Sequence, residues 1–353
     1  MARLINNFLS NSEYLGNINE LTDSEKTALE QIMQIALLKD KKIEQLSDSD
    51  NSLLLDIANA VFEVCSKILS YKEDYLQNIF IYANKSLDVN ACASRHTDNI
   101  YSIGINIGSV AHMHQFILLL FSKELFMKRI GGLNTLSDEK HLYIGGLYKA
   151  MPSCPIRLEY AGNVTILAML VFFYHELAHI FRGHINYLVD RYQFNAINDG
   201  SMDNYFDDEI RKALECDADY HSGYFLGLTY KTEPDLFKTI FDINNSVDFF
   251  KSCTLAAKLT FHSFEKNMSA NNYHLPKTRL EVFLEGLTSS LDLADIALEN
   301  AAGVIVGVDR AFIKYDIDLG HSPEMVEKDG REFYETTNVL WQLLEQELIA
   351  IKS

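Results

Sequence analysis

Proline and glycine are scarce in this chain of 353 residues, which contains 5 Pro and 17 Gly. Both residues interrupt helices, so their scarcity favours a largely helical protein. The hydrophobic content of 48% is typical of a globular chain and excludes disorder over most of its length. At about 150 residues per domain, the length predicts two domains or one large one.

Long apolar runs are also missing. The longest, Ile166–Phe173, is far shorter than the roughly 20 residues of a membrane-spanning helix, and two His and a Glu follow it closely. The first residues lack the apolar core of a secretory signal. The 5 cysteines are scattered and form no CxxC pair, which indicates reduced thiols and argues against a cysteine-based zinc site. We therefore expect a cytoplasmic protein without a membrane span.

Positive charge is in deficit. The chain has 31 Lys and Arg against 49 Asp and Glu, a formal net charge of −18. A chain this acidic repels a phosphate backbone, so nucleic acid is excluded as the expected partner. The charge favours neutral or basic partners.

Local patterns predict a mainly helical α+β fold. The alternation of Ile103 and Ile105 with small or polar residues predicts a strand near residues 101–107, after a short β-like run at 79–82. A capping box at 22–25 predicts a helix start. Further helices are expected at 22–46, 51–72, 115–128, 163–189, 207–229, 234–268, 277–300 and 332–351. We predict an N-terminal helical layer over 1–75, a catalytic domain over 76–300 and a C-terminal helical segment over 301–353.

The strongest chemical signal is His175-Glu176-Leu177-Ala178-His179. Residues four apart on a helix lie about 40° apart around its axis, so both imidazoles can reach one metal ion. Glu176 is about 100° from His175 and can reach a metal-bound water instead. This is the general-base arrangement of a zinc peptidase. The alternative is a His-rich stretch packed in a core without a metal.

A third ligand must come from elsewhere in the chain. His184 would lie about 140° from the ligand face of a continuous helix, so we expect it at the surface or behind the ligands. Glu215 would complete a His₂Glu set and leave one position for water. Asp219, one turn later, is placed to accept a hydrogen bond from a ligand histidine. The same carboxylates would also suit a solvated acidic helix face, and spacing alone does not decide between the two.

Other aromatic and histidine residues near these motifs are weaker candidates for metal binding or catalysis. His112 and His114 are two apart and would diverge on a helix, so a structural role is expected. Tyr220, His221 and Tyr224 follow the acidic motif; one of them could donate to a developing oxyanion, but packing is the expected role.

The two metal motifs, His175–His179 and Glu215–Asp219, resemble the HExxH and ExxAD signatures of the gluzincin metallopeptidases, with the HtpX-like and CAAX-prenyl-protease group as the nearest type. Asn90–Ala93 is similar to that group's NAFA-type motif, and Ile100–Ile107 to the strand that follows it. His274–Arg279 is a looser match to a late HP…R motif, with leucine in place of proline and a spacing one residue shorter. A second resemblance is to phage-exclusion peptidases of the Lit type.

The resemblance implies a zincin-like fold with a small sheet beside the active-site helix. Zn²⁺ is expected on His175, His179 and Glu215, with Glu176 as the general base. The resemblance assigns stabilisation of the oxyanion to His274. The predicted function is a zinc-dependent endopeptidase that acts on a restricted protein substrate in the cytoplasm.

The resemblance also places a substrate strand along Ile100–Ile107, with Ile103, Ile105 and Asn90 beside it. Backbone pairing there would make recognition partly independent of sequence. The alternative function is a toxin, defence or regulatory binding protein that keeps the zincin fold and is silent or needs a trigger. The complete set of Glu176 and three ligands favours activity.

Overall fold

The computed structural model describes a mostly helical α+β protein with a small mixed sheet, which confirms the predicted fold class at that level. The described residues are 3–6, 13–14, 21–37, 58–59, 61–65, 79–84, 86–97, 99–124, 126–127, 130, 140–144, 147–192, 196–198, 208–265, 273–292, 294–315, 317 and 322–352.

Among the described residues, eight strands form a sheet and a hairpin. They are Arg3–Asn6 (β1), Glu13–Tyr14 (β2), Ile79–Asn84 (β3), Ala91–Thr97 (β4), Ile100–Asn106 (β5), Lys140–Ile144 (β6), Leu147–Met151 (β7) and Ala196–Asn198 (β8). The sheet has the order β2-β1-β3-β5-β4-β8, and β6 pairs with β7 separately. Strand β5 is parallel to β3 and antiparallel to β4, so the predicted strand near 101–107 lies in the middle of the sheet.

Eleven helices carry labels in the described part of the chain. They are Asp23–Leu37 (α1), Ile107–Ser122 (α2), Pro155–Phe181 (α3), His184–Tyr192 (α4), Asp208–Thr232 (α5), Pro234–Phe241 (α6), Ser246–Glu265 (α7), Pro276–Leu291 (α8), Ala294–Lys314 (α9), Pro323–Glu332 (α10) and Asn338–Lys352 (α11). Residues 58–59 and 61–65 are also helical, and a π-helical turn, Phe333–Thr337, joins α10 to α11. The predicted continuation of α1 over residues 38–46 lies outside the described residues.

Helix α1 begins at the predicted capping box. The Glu25 carboxylate accepts a hydrogen bond from the Thr22 backbone N–H over 2.6 Å, and the Thr22 hydroxyl accepts one from the Glu25 N–H over 3.3 Å. Leu29 and Ile32 of this helix then pack on the sheet beside Phe80 and Tyr82. Helix α1 therefore covers one face of the sheet.

Three predicted helices are interrupted by residues with positive φ. The predicted helix 163–189 starts earlier, at Pro155, and divides into α3 and α4 at Gly183, whose φ is 82°. The helices predicted at 234–268 and 277–300 divide at Asp242 (φ 55°) and Asp292 (φ 54°). Glycine and aspartate tolerate this left-handed conformation, which ends a helix without disturbing its hydrophobic period. The prediction of a helix start at 115 was also wrong, because α2 begins at Ile107, directly after β5.

Helix α3 runs through the centre of the protein. It is the one helix among the described residues that is long and apolar enough to cross a membrane, but 89% of its most apolar window is buried inside the protein. The core that surrounds it includes the sheet residues Ile81 and Ile105. Residues 167–180 of α3 are all buried, and this burial on every side fixes the His-Glu motif in the C-terminal half of the helix.

Helices α5 and α8 approach each other through glycines. A Cβ atom at Gly286 would overlap the carbonyl oxygen of Tyr220, and one at Gly223 would overlap that of Phe283. Because neither residue has a side chain, the two backbones pack in close contact. This contact packs α8 directly against α5, the helix that carries the acidic motif.

The C-terminal segment packs against the same pair of helices. Phe333 of the π-helical turn contacts Cys216 of α5 and Val282 of α8 in a small buried cluster. Cys216 thus packs between α5, α8 and the C-terminal segment. The domain boundaries at 75 and 300 stay predictions.

Candidate metal centre

Three predicted ligands meet between α3 and α5. The Nε2 atoms of His175 and His179 lie 3.2 Å apart. Glu215 Oε2 lies 3.0 Å from His175 Nε2 and 3.7 Å from His179 Nε2. The three side chains are at most 6% exposed. The structure therefore brings together donor atoms from residues 40 positions apart in sequence.

These distances fit a tetrahedral metal ion. Zn²⁺ holds nitrogen and oxygen ligands at about 2.0–2.2 Å, which puts neighbouring ligands of a tetrahedron about 3.3 Å apart. The observed separations of 3.0, 3.2 and 3.7 Å bracket that value. Two imidazoles and a carboxylate form one triangular face of such a tetrahedron and leave its fourth corner open.

His175 is oriented by a carboxylate behind it. Its Nδ1 donates to Asp219 Oδ1 over 2.9 Å, which is the contact that the spacing predicts. Asp219 in turn accepts two hydrogen bonds from Arg279 of α8, at 2.7 and 2.9 Å. The Arg279 guanidinium lies over the rings of Phe261 and Tyr273, at 4.8 and 4.9 Å from their centroids. The Nδ1 proton of His175 is therefore held in place, and its Nε2 lone pair faces the ligand cluster.

His179 is oriented by a second histidine. Its Nδ1 lies 2.9 Å from His184 Nδ1, and His184 Nε2 lies 2.8 Å from Asp217 Oδ2. Burial lowers the pKa of His184 to about 4, so its ring is neutral. A neutral His184 that donates to Asp217 from Nε2 accepts at Nδ1, and His179 must then donate from Nδ1. The lone pair of His179 is therefore also on Nε2.

His184 is buried rather than at the surface, and it lies behind a ligand. It reaches this position because α3 ends at Phe181 and the chain turns at Gly183. The angle predicted for His184 requires one continuous helix and is therefore wrong. His184 contacts Nδ1 of His179, the nitrogen that faces away from the ligand cluster. This contact agrees with the prediction that His184 is not a third ligand.

Two imidazole lone pairs and a carboxylate oxygen thus converge on one buried point. A cation at that point would be stabilised by all three. Burial opposes protonation of His175, but Asp219 and Glu215 outweigh it and raise its pKa to about 10. Burial would raise the pKa of Glu215, yet His179 and His175 hold it well below its usual range. The cluster thus favours a cation, and a metal ion would replace the proton there.

Asp217 is the centre of the network behind His184. Besides His184, it accepts hydrogen bonds from Arg182 Nε at 2.9 Å and from Trp341 Nε1 at 2.6 Å. Burial would raise the pKa of Asp217, but His184 and His221 keep it well below its usual range. The carboxylate is therefore ionised and links the metal motif to helix α11.

Glu176 and His274 are the two residues for which the sequence predicts catalytic roles. Glu176 is buried on α3 between the two ligand histidines in sequence, with 2% exposure. The Nδ1 of His274 contacts Asp329 at 2.9 Å, and its Nε2 contacts Thr337 at 2.8 Å. An oxyanion role for His274 would require one of these bonds to break. Both roles stay predictions.

The structure contradicts backbone pairing of a substrate with β5, whereas the assignment of Ile103, Ile105 and Asn90 to a substrate site stays a prediction. Ile103 pairs with Ile81 on one side and Ala93 on the other, and Ile105 is flanked in the same way. Both edges of β5 are therefore occupied, so a peptide cannot pair with its backbone. Asn90 is engaged as well, because its N–H and C=O both hydrogen-bond the Ser109 hydroxyl.

Sequence reasoning missed the residues that hold the ligands. Arg279 lies in the motif compared with HP…R, which was the available signal for it. Asp217 lies between two assigned acidic residues and carried no separate signal. Trp341 is 124 positions from Asp217, and nothing in the local sequence predicts that contact.

Neither a family model, a curated protein nor a solved structure matches the chain. The interpretation of the site therefore depends on its own geometry.

Proposed function

We propose that the protein is a zincin-like zinc peptidase of the gluzincin type, acting on a protein substrate in the cytoplasm. The observation that carries the proposal is the convergence of His175 Nε2, His179 Nε2 and Glu215 Oε2 at 3.0–3.7 Å. The opposite nitrogen of each histidine is already hydrogen-bonded, as in metal sites whose ligands are fixed from behind.

The residues present suit hydrolysis of a peptide bond. Zn²⁺ at such a site lowers the pKa of a bound water and polarises a carbonyl group. In this proposal Glu176, next to His175 on α3, takes a proton from the attacking water and later gives it to the leaving amine. Asp219 and His184 fix the orientation of the ligand rings, so only Glu176 needs to change its protonation during turnover.

A second candidate function is favoured by the burial of the site. The exposure of Glu176 is 2%, and those of His175 and His179 are 4% and 1%. A peptide reaches such a group only if the surrounding elements move. The same centre would therefore serve a peptidase that acts only after a partner opens it, or a binding protein whose metal is structural.

Cleavage in cells separates these functions. New protein N-termini would be compared between cells that express wild-type protein and cells that express Glu176→Gln, with Glu299→Gln on the exposed face of α9 as the control. We expect termini that appear with wild type and Glu299→Gln and are absent with Glu176→Gln. The same termini in all three cultures would exclude peptidase activity. No new termini from a zinc-loaded wild type would favour the second candidate.

A further inference from the structure

A cavity of about 410 Å³ opens between α5, α8 and α11, apart from the metal ligands. Aromatic rings and carboxylates dominate its walls. The rings belong to Tyr220, His221, Tyr224 and Trp341, and the carboxylates to Glu285 and Glu345. The volume is within the range of ligand pockets, about 300–1,000 Å³.

The rings form walls rather than a stack. The centroids of Tyr220 and Trp341 are 5.5 Å apart with their planes inclined at 63°. His221 and Tyr224 are 6.3 Å apart and inclined at 62°. In each pair the edge of one ring approaches the face of the other, so the rings do not cover each other as a parallel stack would. An uncovered face of tryptophan or tyrosine attracts a cation within about 6 Å of its centroid.

The charges around the cavity have the sign that a cation requires. None of the described residues that line it is a lysine or an arginine. Glu285 and Glu345 are exposed. The nearby guanidinium of Arg182 donates to Glu345 at 3.1 Å and to Asp217 at 2.9 Å, so its charge is already balanced. Glu285 thus contributes an exposed carboxylate to the wall of the aromatic cavity.

We propose that this cavity binds the side chain of a lysine or arginine on a basic partner protein. Aromatic faces take the alkyl stem and the cationic head, and Glu285 pairs with the charge. The net charge of −18 would speed the approach of such a partner. The proposal does not depend on the metal or on peptidase activity.

Trp341 allows a direct test, because it is the one tryptophan in the sequence. Its fluorescence and its indole N–H resonance would be followed while the full chain is titrated with N-acetyl-arginine amide or N-acetyl-lysine amide. N-acetyl-norleucine amide, which keeps the alkyl stem without the charge, is the matched probe. We expect saturable changes in both signals with the two cations and none with norleucine amide. The result should be the same for zinc-free protein, which separates it from the proposed function.

Pocket variants complete the test. Tyr224→Leu should weaken binding about fivefold or more, since a cation–π contact of 1 kcal/mol or more is lost. Tyr224→Phe should bind like wild type because it keeps the ring. Glu285→Gln should weaken binding at low salt, whereas Tyr334→Leu and Glu335→Gln, which lie outside the cavity, should not. The proposal fails if neither signal changes, if norleucine amide binds equally, or if Tyr224→Leu and Glu285→Gln both bind with unchanged affinity.

Discussion

The Nδ1 atoms of His179 and His184 lie 2.9 Å apart, so one histidine orients a second histidine toward the candidate metal centre. His184 passes this contact on to Asp217 at 2.8 Å. This arrangement keeps the proton of His179 on Nδ1, the nitrogen that faces away from the ligand cluster. The orientation of the His179 ring therefore depends on His184, which lies outside the candidate ligand set.

Replacing His184 should weaken zinc binding in a protein that still folds. In His184→Ala the Nδ1 proton of His179 loses its acceptor and the ring can rotate, so the zinc dissociation constant should rise about 10- to 100-fold. The zinc dissociation constant should rise less in His184→Asn, because asparagine keeps an acceptor oxygen. The constants would be measured by competition with a chromogenic chelator.

His96→Ala is the control for that series. His96 contacts Ser102 within the sheet, at 2.8 Å, and not a ligand. Zinc affinity of His184→Ala within about twofold of that of His96→Ala would show that His184 has no role in orienting His179.

Arg157 should contribute strongly to the stability of the fold. It is 1% exposed, and its guanidinium donates to five backbone carbonyl groups in and after the end of α2. The acceptors are Phe121, Lys123, Phe126, Met127 and Ile130, at 2.6–3.2 Å. Arg157→Met leaves these buried or partly buried oxygens without their donor, so we expect a loss of about 3–5 kcal/mol in the free energy of unfolding.

Chemical denaturation would measure this loss. Arg157→Lys should recover only part of it, because an ammonium group cannot reproduce the guanidinium fork. Arg310→Met, at an exposed position of α9, should change the free energy of unfolding by less than about 0.5 kcal/mol. A stability of Arg157→Met close to that of Arg310→Met would contradict this account of the α2 end.

Gly286 should not tolerate a methyl group. The added Cβ of Gly286→Ala overlaps the Tyr220 carbonyl oxygen on α5, so the two helices must separate at a cost of about 1–3 kcal/mol. Gly303 has no atom within 4 Å of the same position, so Gly303→Ala should be neutral or stabilise by up to about 1 kcal/mol. Thermal unfolding of both variants, monitored by circular dichroism, would measure the contrast. Equal unfolding temperatures would show that the α5–α8 contact is not tightly packed.

The sequence predicted the parts of this protein that depend on local spacing. The four-residue interval placed His175 and His179 on one helix face, and the alternation of Ile103 and Ile105 identified β5. The interval from Glu215 to Asp219 also predicted the contact with His175, because that contact follows from one turn of α5.

Contacts between distant residues and strand order could not be predicted in the same way. The Arg279–Asp219 pair joins residues 60 positions apart, and Trp341–Asp217 joins residues 124 apart. Alternation reveals that a segment is a strand but not which neighbours flank it, so the closed edges of β5 were missed. A single left-handed residue such as Asp242 ends a helix without changing the apolar period on either side.

Zinc content is the most direct test of the central claim, that His175, His179 and Glu215 form a metal site. Protein stripped with a chelator, reloaded with zinc and desalted would be measured by mass spectrometry of its metal. We expect one zinc per chain in wild type and in Glu176→Gln, and little or none in folded His175→Ala and Glu215→Ala. A folded wild-type protein that retains no zinc, or a His175→Ala variant that retains as much as wild type, would contradict the claim.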